Sequence, residues 1–243
     1  MRSSTINGIL TSLGNNAKRR NKDVRLYELG NVYLSDELPL QKLPDERTLF
    51  TLAFYGVGDF FDLKGVVEEF LSKLGLNQKA EYSNQKDKSF LHPGRQAVVT
   101  YQGVNIAYLG QVHPTVGLNY GLKEEAYLAV LDINSLLSFA TFARKYIDVP
   151  RFPAVNRDIS MTIAKEIVVG QIEAVIGEKG GAYLEDYTLF DIYEGEQIPA
   201  GLKSVAYSLT FRAKDKTLEE AEVSQAMDRI LKGLEAIGAK LRD

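Results

Sequence analysis

The chain has 243 residues, 45% of them hydrophobic and 25% charged, the make-up of a soluble globular protein with room for one large domain or two ordinary ones. Cysteine is absent, which excludes disulfides, thiolate nucleophiles and cysteine metal sites. The net charge of -3 leaves no overall basic footprint for nucleic acid, and no apolar run reaches membrane-span length or forms a signal peptide, so a cytoplasmic protein with no membrane partner is expected.

In chain order, Ile6, Ile9, Leu10, Leu13 and Ala17 fall at helical spacing and predict a helix over 5–20. It runs into Lys18-Arg19-Arg20-Asn21-Lys22. Cations suit the negative end of a helix dipole, so a capped, solvated helix end accounts for that run; a nucleic-acid or partner contact is the alternative. Strands are expected over 24–34 and 48–57. Asp59 can cap a helix carrying the stripe Leu63, Val66, Val67, Phe70, Leu71 and Leu74, closed by Gly75. Residues 97–112 read as a hairpin around Gln102-Gly103, 127–133 as a strand and 135–142 as a short helix. Strands outnumber helices, which predicts a mainly antiparallel sheet flanked by helices. Residues 143–153, with Pro150 and Pro153, look like a boundary.

Beyond it, 158–163 alternates as a strand, and Val168, Ile172, Val175 and Ile176 mark a helix closed by Gly180-Gly181. Strands follow over 184–193 and 203–212. Thr217-Leu218-Glu219-Glu220 fits a capping box opening a last helix, with 240–243 left for an edge strand. The order is that of a ferredoxin-like βαββαβ sandwich, a four-stranded sheet with both helices on one face. Alternation sends Val205, Tyr207, Leu209 and Phe211 toward the helices and Ser204, Ala206, Ser208, Thr210 and Arg212 to the open side. If Phe190 and Ile192 are buried, Tyr187 and Tyr193 lie on that open side. Exposed aromatics on a flat sheet can stack unpaired bases; packing against a loop or the other domain is the competing account. Residues 146–243 hold 12 basic and 17 acidic residues, so any RNA contact there must use local patches and shape.

Catalytic chemistry is not evident. His92 and His113 each precede a proline and lack metal-site spacing. There is no P-loop, and Gly56-Val57-Gly58 lacks the continuation a dinucleotide site needs. The doublets Glu68-Glu69, Glu124-Glu125 and Glu219-Glu220 point about 100° apart when helical, so they do not converge on a substrate.

Long ordered blocks carry a resemblance: Val24-Arg25-Leu26-Tyr27-Glu28-Leu29-Gly30-Asn31-Val32-Tyr33, Leu91-His92-Pro93-Gly94-Arg95, Leu109-Gly110-Gln111-Val112-His113-Pro114, and Leu189-Phe190-Asp191-Ile192-Tyr193-Glu194-Gly195. They resemble the bacterial phenylalanyl-tRNA synthetase beta subunit over essentially the whole chain. The resemblance implies an α+β protein: an antiparallel-sheet class II synthetase-like core over 1–143 without catalytic function, a linker over 144–149, and a ferredoxin-fold anticodon-binding domain over 150–243. It implies a part of phenylalanine–tRNA ligase that scaffolds a catalytic alpha subunit, in a heterotetramer of two alpha and two beta subunits, and binds the anticodon region of tRNA(Phe). ATP and Mg2+ belong to the complete enzyme, with no cofactor, metal or catalytic residue expected in this chain. In class II enzymes a Phe-Arg-x-Glu strand motif holds ATP, whereas Arg25 and Glu28 here are separated by two residues and should face opposite sides of a strand. The family pattern also places OB-like, editing and metal-bearing segments before Met1, so a piece of a longer subunit is expected. Strand alternation nominates Arg157, Tyr187, Tyr193, Ser208 and Arg212 for the RNA face. The alternative is a metabolic protein whose ferredoxin-like domain senses an amino acid, since fold alone permits it; a structural assembly module is a third reading.

Overall fold

Apolar residues three or four apart give the first helix, α1 (Ile6–Lys18), whose Ile9, Leu10 and Leu13 are buried. The computed structural model describes all residues except 38, 77–79, 144, 145, 147, 196 and 243, and the chain divides into two units, Met1–Lys145 and Tyr146–Asp243. Of the expected linker 144–149, residues 144, 145 and 147 lie outside the described residues.

After α1 the first unit runs β1 (Val24–Leu34), β2 (Asp45–Tyr55), α2 (Phe60–Lys73), β3 (Glu81–Ser83), β4 (Leu91–Tyr101), β5 (Val104–Val112), α3 (Pro114–Asn119), β6 (Ala126–Asp132) and α4 (Ile133–Phe139). Its strands form one sheet in the order β1-β2-β6-β5-β4-β3, with every pairing antiparallel. Leu63, Val67 and Leu71 of α2 and Leu136 of α4 pack with Phe54, Leu109, Ala129 and Leu131 in one cluster. Ile9, Leu10 and Leu13 of α1 pack with Val24, Ala53, Leu128 and Val130 in another. The central β6 is thus covered on both faces, which is why Ala126–Leu131 is apolar without alternation.

Local chemistry sets several boundaries. Asp59 Oδ1 accepts hydrogen bonds from the Phe61 and Asp62 amides at 2.7 and 3.2 Å, and Asp62 accepts one from the Asp59 amide at 2.7 Å, a reciprocal box that starts α2. Gln102 and Gly103 both take positive φ, 50° and 79°, the two-residue turn whose twist matches a hairpin. Several features of this unit differ from the sequence expectation, including the second strand, which spans Asp45–Tyr55 rather than 48–57. The second hairpin begins at Leu91 rather than 97, because the strand continues through an irregular register around Pro93-Gly94. The short β3 and α3 were not expected, since three and six residues are too few to show a period. Residue 133 belongs to a helix, because Asp132 caps α4 by accepting from the Ser135 amide at 3.1 Å.

The second unit comprises β7 (Val155–Ala164), α5 (Val169–Gly180), β8 (Leu184–Tyr193), β9 (Leu202–Phe211), α6 (Glu220–Ala236) and β10 (Lys240–Leu241). The sheet order is β10-β7-β9-β8, all antiparallel, as the ferredoxin-like expectation requires. Ile159, Met161, Ile163, Val205, Tyr207, Leu209 and Phe211 pack against Ile172 and Ile176 of α5 and Val223, Ala226, Ile230 and Leu234 of α6. The box that opens α6 lies two residues later than expected: Glu222 accepts from the Glu219 amide at 3.1 Å. Leu218 just before the cap and Val223 in the first turn are both buried in the same cluster, a staple that fixes this start over Thr217.

Candidate nucleic-acid interface

In the second unit, α5 and α6 cover one side of the sheet. On the other side, among the described residues, no hydrophobic cluster forms. Residues paired across strands share a side, so the register assigns this bare face. Ser208 lies between Asp158 and Thr188, Thr210 between Asn156 and Asp186, Ala206 between Ser160 and Asp191, and Ser204 between Thr162 and Tyr193. Ser204 and Ala206 on the central strand are themselves buried, while Thr188, Asp191 and Tyr193 on the edge strand are exposed.

Of the five residues nominated from sequence, three belong to this side. Tyr193 stands opposite Ser204 and is 40% exposed. Its ring lies along the following loop: a Cβ on Gly195 would come 2.2 Å from the tyrosine hydroxyl, so a larger residue there would push the ring aside. Ser208 sits mid-face, half-buried. Arg212 follows the end of β9, where Nε donates to Glu185 at 2.8 Å and Nη1 to the Phe152 carbonyl at 2.6 Å.

The other two are placed elsewhere, and the expectation for them is corrected. Tyr187 pairs with Leu209 and packs against the helix-side core, with its hydroxyl beside Gly177 of α5. The cause is a bulge: Leu189 pairs with Tyr207 and Asp191 with Ala206, leaving Phe190 as an extra residue. That one residue reverses the alternation, so Tyr187 and Tyr193 fall on opposite sides; Phe190, expected to be buried, is 58% exposed, and Ile192, on the helix side opposite Val205, is 45% exposed. Arg157 also pairs with Leu209, on the helix side of β7, and its guanidinium donates to both Glu220 oxygens at 2.7 and 2.6 Å. There it joins the first turn of α6, where a carboxylate suits the helix dipole. Sequence reasoning missed Thr188, whose side depends on the same bulge, and did not nominate Asp191, which the expected alternation already put on the open side.

The electrostatics of the bare face are unusual for an RNA-contacting surface. It carries Asp158, Asp186 and Asp191, while the guanidinium of Arg212 is already engaged by Glu185. At the margin, the Lys165 ammonium 2.7 Å from Glu194 holds that carboxyl below its usual range and ties down the loop next to Tyr193. Hydroxyls, carboxylates and one aromatic ring can stack a base and accept hydrogen bonds from base N–H groups; they cannot neutralise phosphates.

In the first unit, Arg25 pairs with Phe54 and Glu28 with Thr51, on opposite sides of β1. Glu28 is ion-paired with Arg2, whose Nε also donates to the Asn31 carbonyl at 3.1 Å. The nearby Thr5 and Thr51 hydroxyls bond each other at 2.6 Å in a buried contact. Arg25 and Glu28 are thus split across the sheet, and Glu28 is engaged by Arg2, so the two do not form the same-side Arg-x-Glu arrangement with which the resemblance compared them. The histidines serve turns: His92 Nδ1 accepts from the Gly94 amide at 3.1 Å and His113 Nδ1 from the Thr115 amide at 3.3 Å. Among the described residues no group of three or more His, Asp or Glu is placed to hold a metal, and no helix is long and apolar enough to cross a membrane.

The second unit is a split-βαβ sandwich with one bare polar face, and it follows a helix-flanked antiparallel sheet. Residues 1–133 match the family model described as the phenylalanyl tRNA synthetase beta chain CLM domain, and residues 150–242 match the ferredoxin-fold anticodon binding domain. The first match spans more than half of the chain, which therefore belongs to the phenylalanyl-tRNA synthetase beta-chain family. Similar curated proteins are the phenylalanine–tRNA ligase beta subunits of Clostridium acetobutylicum, 41% identical over 243 residues, and Clostridium tetani, 38% identical over the same length; each match covers 100% of this chain and 30% of the relative. That of Bacillus subtilis is 37% identical over 97% of this chain and 30% of its own. The chain thus spans about a third of the length of these relatives. Membership of this family displaces the amino-acid-sensing alternative.

Proposed function

We propose that this chain is the part of a phenylalanine–tRNA ligase beta subunit that scaffolds a catalytic alpha subunit through residues 1–143 and contacts the anticodon region of tRNA(Phe) through residues 150–243, in a cytoplasmic heterotetramer. Adenylate formation with ATP and Mg2+ falls to the alpha subunit. The observation that carries this reading is the bare face of the second sheet, in a module of the ferredoxin-fold anticodon-binding family. On it Tyr193 offers a stacking surface, Ser208, Thr188 and Asp191 offer base-edge acceptors, and Arg212 stands at the rim, held by Glu185. Arg157 and Tyr187 support the module from the helix side instead.

The test is aminoacylation of tRNA(Phe) by the complete ligase, with the full-length beta subunit or with one lacking residues 150–243. Loss of tRNA affinity with adenylate formation retained is the expected result. Equal tRNA affinity and equal aminoacylation in the two would refute the anticodon role.

A further inference from the structure

We propose that the turn closing α1 is a second RNA contact, gripping phosphate backbone outside the anticodon arm; this rests on the reading of the chain as part of a tRNA ligase. Lys18, Arg19, Arg20 and Lys22 place four cations in five consecutive positions of a chain whose net charge is -3. All four are exposed. Among the described residues none of them makes an ion pair or a side-chain hydrogen bond, whereas Arg47, Arg95, Arg157 and Arg212 each hold a carboxylate. The helix dipole explains Lys18, which lies in the last turn; Arg19 is the cap residue, and Arg20 and Lys22 lie beyond the helix.

The backbone presenting these cations is pinned. Arg20 and Asp23 adopt left-handed φ of 61° and 55°, which side-chain-bearing residues rarely take. The Asn21 amide donates to the Asn16 carbonyl at 3.1 Å and its Nδ2 to Asn16 Oδ1 at 2.7 Å. The hydroxyl of buried Tyr55 donates to the Asn21 carbonyl at 2.6 Å, tying the turn to the sheet. The adjacent carboxylates, Asp23 and Glu124, flank Gly56 and close on none of the four cations.

Free cations on a fixed turn fit a polyanion. The flanking Asn15, Asn21 and Asp23 are exposed and polar rather than aromatic or apolar, and lysines are depleted from protein interfaces. Duplex RNA, by contrast, is held largely through its phosphates and riboses. The chemistry also complements the second unit: the bare sheet face reads bases without neutralising phosphate, and this turn neutralises phosphate without reading bases.

The experiment uses the complete ligase carrying Lys18→Gln, Arg19→Gln and Lys22→Gln together, with Arg20 kept because its backbone is left-handed. Affinity is measured across a salt series for whole tRNA(Phe) and for its isolated anticodon stem–loop. For whole tRNA the log–log salt slope should become shallower by about 2–3, close to one for each phosphate contact removed. The stem–loop should bind unchanged, and Lys18→Arg with Lys22→Arg should keep the parental slope. An unchanged slope with whole tRNA overturns the proposal. So does equal weakening of the stem–loop, or intact tRNA binding with release of the partner subunit, which would mark a protein contact. If substitutions on the sheet face leave stem–loop affinity untouched while the triple variant still flattens the tRNA slope, the anticodon reading falls and this one stands.

Discussion

Tyr187 and Tyr193 lie six residues apart on one strand yet on opposite sides of the sheet, and truncating each to alanine separates folding from binding. Tyr187 packs on the helix-side core beside Gly177 and is only partly accessible. Removing a fully buried aromatic side chain costs about 3–5 kcal/mol, so Tyr187→Ala should cost about 2 kcal/mol of stability. RNA affinity of the molecules that remain folded should stay within about twofold of the parent, since a residue on the covered side contributes no stacking surface. Tyr193 is 40% exposed and rests against a loop, so Tyr193→Ala should cost no more than about 1 kcal/mol in stability. If its ring stacks one base it should lose about 1–3 kcal/mol of binding, roughly 5- to 150-fold in Kd. Urea unfolding curves and fluorescence anisotropy with a labelled anticodon stem–loop, at one salt concentration, give both numbers. If Tyr187→Ala weakened binding as much as Tyr193→Ala at unchanged stability, the assignment of sides around the Phe190 bulge would be wrong.

Arg157→Ala should leave stem–loop affinity unchanged and cost at most about 1 kcal/mol, because its ion pair with Glu220 is exposed; a tenfold loss of affinity would return Arg157 to the RNA face. The Tyr207 hydroxyl is buried without a hydrogen-bond partner among the described residues, so Tyr207→Phe should be neutral or stabilising by up to about 1 kcal/mol in urea titrations; a clear loss would reveal a bond to that hydroxyl. Burial, aided by the charge of Asp87, pushes the Tyr108 phenol up to about 12, above its unfolded value of about 10. A raised folded value means that its contribution is complete below about pH 10 and is lost as pH climbs from there toward 12. Tyr108→Phe should therefore flatten the alkaline fall in stability of the first unit; an identical fall in parent and variant would contradict the assignment.

Much of the fold was legible because it follows from periods and caps. The stripe on α2, the Asp59 cap, the Gln102-Gly103 turn and the alternation of β7 and β9 each express a local preference that the tertiary structure reinforces. The split of Arg25 from Glu28 across β1 was legible for the same reason, as a strand has a strict period of two. What the sequence hid was any departure from that period. Nothing in Thr188-Leu189-Phe190-Asp191-Ile192-Tyr193 announces that Phe190 is a bulge, because the extra residue is set by pairing with β9 rather than by its own neighbours. Tyr187 was therefore placed on the wrong side and Thr188 went unnoticed. Strand alternation was the ground for Arg157, yet Arg157 is in phase with Ile159, so the same alternation puts it on the helix side; its partner, Glu220, is 63 residues away and invisible to any local pattern. The acidic cast of the bare face was half legible, in the excess of acidic residues after 146, but which of them share a side needed the register.

The central claim is that RNA docks on the uncovered side of the β10-β7-β9-β8 sheet. Hydroxyl-radical footprinting of the ligase with and without the tRNA(Phe) anticodon stem–loop tests it most directly, because the two tyrosines are reactive reporters for the two sides. RNA should shield Tyr193 and leave Tyr187, together with the exposed positions of α5 and α6, as reactive as before. Shielding of the helices with Tyr193 still open to attack would contradict it.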